Sequence, residues 1–435
     1  MQTLFILLLA FTLRLINIFT HDLSISNHIL EDQVMYWGRS GQYAYDFIGR
    51  TSNPLFLDRM PGAFLFFQLG FYFLGENLTK ILIFQSLLSS INCIVIAFIA
   101  KLISKKLFIY AGLFAAISPI SIILSNMVLS DTVYLLLFSL YFLFFMTYFE
   151  KKRTSLLYLA GIFLGLSCFV RLTSVFFIPL SIVAITIIFY KRKKNIFAFL
   201  KASILFTFLS TLPILERLIS NYNNYSSIFL TTQTGNHLAY WVVPAVLDFE
   251  NIKDKEVYYS NLNNLEKKLE VEKSAVERYK KLKSFATSQL IRLDIENIAL
   301  AWTKGAMLNI FSPTILLDNR IRKLKHPSFY ENNKNIIIWL KKIFYIQEFK
   351  SYKYVFFFSL ITSLFSLISI IIGFSYLYKK NIFQFIFVLA SFFIICVITG
   401  PVFSPKYIFP IIPLFFILQA IVLRNFYSFI FLQKN

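Results

Sequence analysis

The stretch "LFILLLAFTLRLINIF", Leu4–Phe19, decides how the rest of the chain is read. Arg14 is its only charge, and the other side chains are mostly Leu, Ile and Phe. A helix rises about 1.5 Å per residue, so an apolar run of roughly 17–25 residues crosses the hydrocarbon core of a bilayer. The stretch has neither a basic region before it nor a small-residue cleavage site after it. It is therefore expected to remain as a first membrane span rather than be removed as a signal peptide. Arg14 lies near the far end, where its apolar stem is expected to snorkel so that the charge reaches the surface.

Similar runs recur along the chain. Spans are expected at about 3–19, 79–100, 107–124, 131–149, 155–170, 172–190, 197–215, 353–377, 381–399 and 407–424. The 435 residues are 57% hydrophobic and include 52 Phe, above the about 45–50% apolar content of a soluble domain. Because the excess falls in helix-length runs, the fold class is an all-α polytopic membrane protein with about ten transmembrane helices. A transmembrane barrel is excluded because its strands alternate apolar and polar residues. Residues 61–74, "PGAFLFFQLGFYFL", are too short to cross and read as a juxtamembrane or re-entrant helix.

The formal charge of +21 would suggest nucleic acid in a soluble protein. Here much of it sits in short clusters between apolar runs: Lys101, Lys105 and Lys106; Lys151, Lys152 and Arg153; "KRKK" at 191–194; Lys379 and Lys380. These fall on one side of the span list, which makes that side cytoplasmic and leaves no call for nucleic acid. The alternate loops hold Glu31, Asp32, Asp46 and Asp58, then Asp131, Arg171 and Lys406, and so face outward.

Three units follow: 1–216, a transmembrane module with its first outer loop at 20–78; 217–350, an extracytoplasmic insertion; and 351–435, the C-terminal transmembrane helices. The insertion is basic, but long loops translocate largely regardless of charge. Its stretch "NNLEKKLEVEKSAVERYKKLKSFATSQL" has strong helix formers and Glu–Lys pairs at helical spacing. "IALAWTKGAMLNIF", 298–311, is apolar on most faces and is expected to lie on the membrane. No internal repeat supports an inverted-repeat transporter. Cys93, Cys168 and Cys396 lie inside apolar runs and read as packing residues. His21, His28, His237 and His326 show no paired ligand spacing, which argues against zinc.

The first outer loop, "HILEDQVMYWGRSGQYAYDFIGR" (His28–Arg50), carries the densest chemistry. An interfacial helix with an aromatic belt accounts for Tyr36, Trp37, Tyr43 and Tyr45. It does not account for Glu31, Asp32 and Asp46 so close to the membrane. In "DQVMY" Asp32 and Tyr36 are one helical turn apart. "LDRMPG" breaks the chain and brings Arg59 to the bilayer surface, where a guanidinium can grip a lipid phosphate. Asp131 opens a span, and Ser130 is placed to cap it. Arg171 breaks the positive-inside trend between two spans, and boundary charges of this kind are functional candidates. "GPVFSPKYIFPIIP" puts Lys406 and Tyr407 at the mouth of the last span. Arg59, Arg171 and Lys406 together suit one anionic ligand.

In order along the chain, "LRLINIF", "DQVMY", "DRMPGAFLF", "SDTVY", "GLSCFVRLTSVFFIPL" and "SPKYIFPIIP" resemble the polyprenyl-phosphate-sugar glycosyltransferases of the GT-C superfamily. The type is that of the protein O-mannosyltransferases and the lipid A aminoarabinose transferase. The resemblance runs through 1–216 and returns at 400–424. "TTQTGNHLAYW", which holds His237, resembles the opening segment of that family's outer domain. Three positions depart from the family pattern: Asp32-Gln33 stands for Asp-Glu, Met60-Pro61 for a double proline, and Lys406 for Arg.

The resemblance implies a GT-C-like fold and a sugar moved from a polyprenyl phosphate to a lipid, glycan or protein acceptor, within a membrane of lipids. The site would face the periplasm or exterior of the cytoplasmic (inner) membrane. A phosphate leaving group needs cations rather than a general acid, and the acceptor needs a carboxylate base. Asp32 and Asp131 are then the catalytic candidates, Arg59, Arg171 and Lys406 the phosphate ligands, and Glu31, Tyr36, Tyr407 and His237 the pocket. In-line displacement would invert the anomeric centre. The sequence requires no cofactor, although Mg or Mn between Asp32, Asp131 and phosphate oxygens is chemically admissible. Two other classes share parts of this pattern: a lipid-linked glycan transporter or flippase, and a polysaccharide ligase or polymerase. A transporter needs ionisable groups deep within several spans, and most spans here are nearly uncharged.

The topology is open to a direct check. With Cys93, Cys168 and Cys396 replaced, single cysteines at 32, 131, 171 and 406 should react with an impermeant maleimide from outside, and those at 106 and 193 should not. Labelling of the second pair would overturn the assignment of sides.

Overall fold

The computed structural model describes residues 1–42, 56–191, 196–250, 252–270, 274–328 and 335–432. Asp46, Tyr43 and Tyr45, and Arg192, Lys193 and Lys194 of the basic cluster, lie outside the described residues. The described chain is helical throughout, with no strand among its residues. Among the described residues, eight helices are long and apolar enough to cross a membrane. The other two expected spans are a bent pair and the 17-residue helix Thr154–Val170. The protein is an all-α polytopic membrane protein.

The helices that build the bundle are α1 (Gln2–Phe19), α2 (Asp32–Gln42), α3 (Pro61–Leu74), α4 (Leu78–Ile103), α5 (Leu107–Ile117), α6 (Pro119–Ser125), α7 (Asp131–Lys151) and α8 (Thr154–Val170). Then come α9 (Phe177–Lys191), α10 (Ile196–Tyr225), α11 (Ile252–Leu269), α12 (Ala275–Leu290), α13 (Ile295–Phe311), α14 (Ile336–Tyr345), α15 (Lys350–Lys380), α16 (Ile382–Thr399) and α17 (Ile412–Leu432). Neighbours run α10, α8, α7, α4, then α1 and α5, then α17 and α15. One buried core of Phe, Ile, Leu and Ala joins them, with Phe138, Tyr141, Phe142, Phe145 and Phe177 stacked at its centre.

Arg14 does not snorkel. It is completely buried, because α5 and α6 meet at a 51° bend between Ile117 and Pro119. In a continuous helix the carbonyl of Ala115 would accept from residue 119, but proline has no N–H. Arg14 supplies the missing donors, Nη2 to the oxygen of Ala115 (3.4 Å) and Nη1 to that of Ala116 (3.2 Å). Its Nε donates to Ser89 Oγ at 2.8 Å. A bent span with open carbonyls is tolerable in a membrane only when something inside the protein satisfies them.

Two glycines allow the close approaches that shape one end of the bundle. A Cβ on Gly62 would lie 2.8 Å from the backbone oxygen of Phe169, so α3 begins hard against the end of α8. A Cβ on Gly305 would lie 2.5 Å from the oxygen of Gly400, so α13 lies on the turn after α16. From there Asn309 donates to the Val402 oxygen (3.0 Å) and accepts from the Ser404 N–H (3.0 Å), which fixes the segment leading to Lys406. Residues 298–311 fall within this helix. Ala301, Gly305 and Asn309 form its buried side, while Leu300, Met307 and Leu308 are exposed. Helices α11 and α12 pack a small core of their own, with Leu262, Leu269, Leu282 and Ala286 against Ala239, Val243 and Leu247.

Candidate active site

The chain reverses at Glu31 through a left-handed residue (φ 54°) and starts α2 at Asp32. A carboxylate in a first helical turn is favoured by the helix dipole. Asp32 meets two cations from distant parts of the chain: Lys406 Nζ on Oδ2 at 3.2 Å and Arg59 Nη2 on Oδ1 at 3.5 Å. The Asp32 side chain is 47% exposed. Burial pushes its carboxyl up, but Lys406 and Arg59 outweigh that and hold it below the usual carboxylate range.

Arg59 sits on the turn that precedes α3. A buried arginine, Arg217 of α10, holds this turn by donating to the backbone oxygens of Phe56 (2.6 Å) and Arg59 (3.3 Å), and to that of Leu230 (3.2 Å). Nothing in the first loop marks Arg217. Its signal is the buried stripe Phe206, Ser210, Ile214, Arg217 and Asn221, whose three- and four-residue spacing is one helix face.

Asp131 and Arg171 form the second part. Asp131 opens α7 and is buried, and Arg171, at the end of α8, donates to its Oδ1. The Arg171 guanidinium also lies over the Tyr134 ring, 5.5 Å from its centre. Ser130 makes no cap bond to α7. Its hydroxyl pairs instead with Tyr36, which is 6% exposed and packed on Phe64. Burial pushes the Tyr36 phenol up, with Arg59, Arg171 and Asp131 all close enough to act on it. Tyr36 therefore stands between the two ion-paired groups. The burial of Asp131 corrects the labelling expectation: a cysteine there is shielded from the maleimide, and positions 32, 171 and 406, whose side chains keep some solvent contact, carry the test.

The remaining candidates fall at the edge. His237 is half-buried, and its imidazole is pushed down by burial and by nearby Arg59. Glu31 points to Arg322, a residue with no signal in the sequence, and pairs with it. Tyr407 is half-buried, and no ring contact or side-chain hydrogen bond ties it to the cluster among the described residues. No group of three or more His, Cys, Asp or Glu side chains gathers to hold a metal among the described residues.

Gln33 explains one departure from the family pattern. Its Oε1 accepts from the Val128 N–H at 2.8 Å and its Nε2 donates to the His28 oxygen at 3.3 Å. An ionised glutamate has no N–H to give, so an amide here locks the first loop onto the segment before α7.

Residues 58–215 match the family model described as dolichyl-phosphate-mannose-protein mannosyltransferase. The match supports a glycosyltransferase of the GT-C superfamily. With the apolar helices, it supports a multi-pass membrane enzyme of that type using a lipid-linked sugar. The matched stretch contains Arg59, Asp131 and Arg171 and leaves Asp32 and Lys406 outside. No curated protein matches the chain.

The two ion-paired groups should differ in what they contribute to stability. Exposed pairs are worth about 0–1 kcal/mol, whereas removing one partner of a buried pair costs about 3–5 kcal/mol. Asp32→Asn should therefore leave thermal unfolding in nanodiscs nearly unchanged. Asp131→Asn should destabilise by about 3 kcal/mol, the lower end of that range, because Arg171 keeps some solvent contact. Equal shifts for the two variants would refute the distinction.

Proposed function

We propose that the protein transfers a sugar from a polyprenyl-phosphate donor to a hydroxyl or amine of a lipid, glycan or protein acceptor, at the outer face of the cytoplasmic membrane. One observation carries this reading: Arg59 and Lys406, brought together from opposite ends of the chain, meet on the half-exposed carboxylate of Asp32. Two cations and a base at one solvent-reached point are what an activated phosphate ester and a nucleophile need.

Asp32 takes the proton of the acceptor. The acceptor atom forms its bond to the anomeric carbon as the bond from that carbon to the phosphate oxygen breaks. The electron pair leaves with the phosphate, and attack from the opposite face inverts the centre. Arg59 and Lys406 hold the phosphate before and after this step. Arg171 keeps guanidinium donors beyond those given to Asp131 and adds its charge behind them. No step is routed through a divalent ion.

The cations that grip the phosphate also depress the base. Without donor, Arg59 and Lys406 sit on Asp32 and weaken it. A phosphate competes for both, and their exposed pairs with Asp32 have little energy to lose. Donor binding then frees the carboxylate and restores its basicity, so the base becomes effective when there is a sugar to transfer.

Asp32→Asn keeps the shape and cannot take a proton. Single-turnover transfer should fall by about 10²–10⁴-fold while donor lipid still binds. Arg171→Ala should weaken donor binding and turnover together, by about 1.5–3 kcal/mol for a lost charge-assisted contact. Donor binding and single-turnover rate in proteoliposomes separate the two, and normal transfer by Asp32→Asn would exclude Asp32 as the base.

The pH profile gives an independent check. Asp32 must be ionised to act, and its carboxyl lies below the usual range in the free protein. The acid limb of kcat/KM, which reports the free enzyme, should therefore lie below the ordinary carboxylate range. Lys406→Ala removes a depressing charge and should move that limb to higher pH. A limb unmoved by Lys406→Ala would mean that another group sets it.

A further inference from the structure

A cavity of about 310 Å³ opens beside the charged cluster, and Asp32, Arg59 and Lys406 do not line it. Its walls are the end of α1, the loop before α2, the segment after α6 and residues 317–323. We infer that this cavity binds one neutral, hydroxyl-rich sugar residue of the acceptor, with the Asn126 amide as its central recognition group. The inference rests on the reading of Asp32 as the acceptor's base.

The first argument is hydrogen bonding. Asn126 is 3% exposed and lines the cavity. Its Nδ2 lies 3.0 Å from His21 Nδ1, and its Oδ1 has no partner among the described residues. Whichever way the amide is turned, one end stays unpaired. Asn17 lines the same space, and its Oδ1 is also buried without a partner among the described residues. Buried polar atoms are nearly always satisfied, and these two belong to residues of one cavity wall, so that wall holds amide groups with hydrogen-bonding capacity left over for a ligand that brings its own donors.

The second argument is charge. The ionised groups on the wall are Asp22, Asp318, Arg320 and Lys323, which balance. Arg320 grips Asp318 with two bonds, Nε to Oδ1 (3.0 Å) and Nη2 to Oδ2 (2.6 Å), and Asp22 accepts from Asn27 (2.6 Å). Burial pushes the His28 imidazole down, and its Nε2 bonds the Asn126 backbone oxygen. His21 Nε2 also lies 3.8 Å from Asp318 Oδ2, so the wall's acids and bases are balanced in number and its amides and imidazoles suit hydroxyl groups that both give and accept. The third argument is size: this volume is at the small end of the about 300–1,000 Å³ range of ligand pockets, room for a single ring rather than a chain or a lipid tail.

Position connects the cavity to the reaction. Gln33 lines it and follows Asp32 directly. The Glu31–Arg322 ion pair joins the loop before α2 to the 317–323 segment. A sugar held here touches Gln33, the residue that follows the proposed base.

The test uses the full chain in lipid nanodiscs and saturation-transfer NMR with mannose, glucose and galactose as probes. At least one should bind. Asn126→Leu, which removes the amide, and Asn319→Trp, which fills the cavity from its rim, should each weaken that sugar at least tenfold. Asp32→Asn and Arg59→Ala should bind it as the wild type does. If Asn126→Leu fails to fold, Asn319→Trp decides alone. The inference is overturned if no probe binds, if binding survives both cavity variants, or if Arg59→Ala abolishes it, which would put the sugar at the phosphate cluster. Transfer measured in parallel separates the two readings. Normal transfer by Asp32→Asn with sugar still bound removes Asp32 as the base and leaves the sugar site. Lost transfer with no sugar bound removes only the sugar site.

Discussion

Pro119 has no N–H to give the carbonyl of Ala115, and Arg14 gives one in its place. Much of the site's geometry follows from that exchange. The bend it permits ends α6 early, and the chain from Ser125 to Val128 then crosses the end of the bundle without helical partners. Side chains take up the oxygens of Ser125, Asn126 and Met127 and the N–H of Val128. Gln85 of α4 donates to the oxygens of Ser125 and Met127, His28 pairs with that of Asn126, and Gln33 accepts from the Val128 N–H. The segment is thereby fixed just before Asp131, and the first loop is fixed to it just after Asp32. One missing donor in the interior sets the relative position of both acidic candidates.

The two ion-paired groups that result obey different physics. Asp131 and Arg171 are largely removed from water, so their attraction is strong and their separation costly. That suits a fixed wall. Asp32, Arg59 and Lys406 meet where water reaches them, so their pairing is weak and exchangeable. That suits a place where one anion must replace another. The carboxylate that can be left by its cations is the better base, and the carboxylate that cannot is the better anchor.

The sequence makes the helices legible because length and hydropathy are all a bilayer asks of a span. Each expected span has a helix in the structure, although residues 107–124 are bent and 155–170 barely long enough. The sequence is less informative where a polar residue has two possible partners. Arg14 read as a snorkelling charge because the Ala115 carbonyl it serves is about a hundred residues away. Ser130 read as a cap because it precedes a helix, yet Tyr36 claims its hydroxyl. Gln33 read as a lost carboxylate, and it is a two-way clamp. Pattern alone identifies what a residue can do, and the fold decides which neighbour it does it with. Asp32, Arg59 and Lys406, which the span count assigns to one side of the membrane, meet in the structure.

The cluster is also divided in its origins. Residues before 216 supply both carboxylates, Arg59 and Arg171, and only part of that segment lies in the family match. Lys406 comes from beyond the insertion, on a loop that Asn309 holds through both its amide nitrogen and its oxygen. Arg322, which pairs with Glu31 beside the base, comes from the insertion itself. The helix carrying Asn309 presses on Gly400 so closely that a methyl group would not fit. A shift of α13 would therefore carry Lys406 with it, and Lys406 is one of the two charges that hold Asp32 weak. The segment least like the family is thus mechanically joined to the charge that holds the Asp32 carboxyl down.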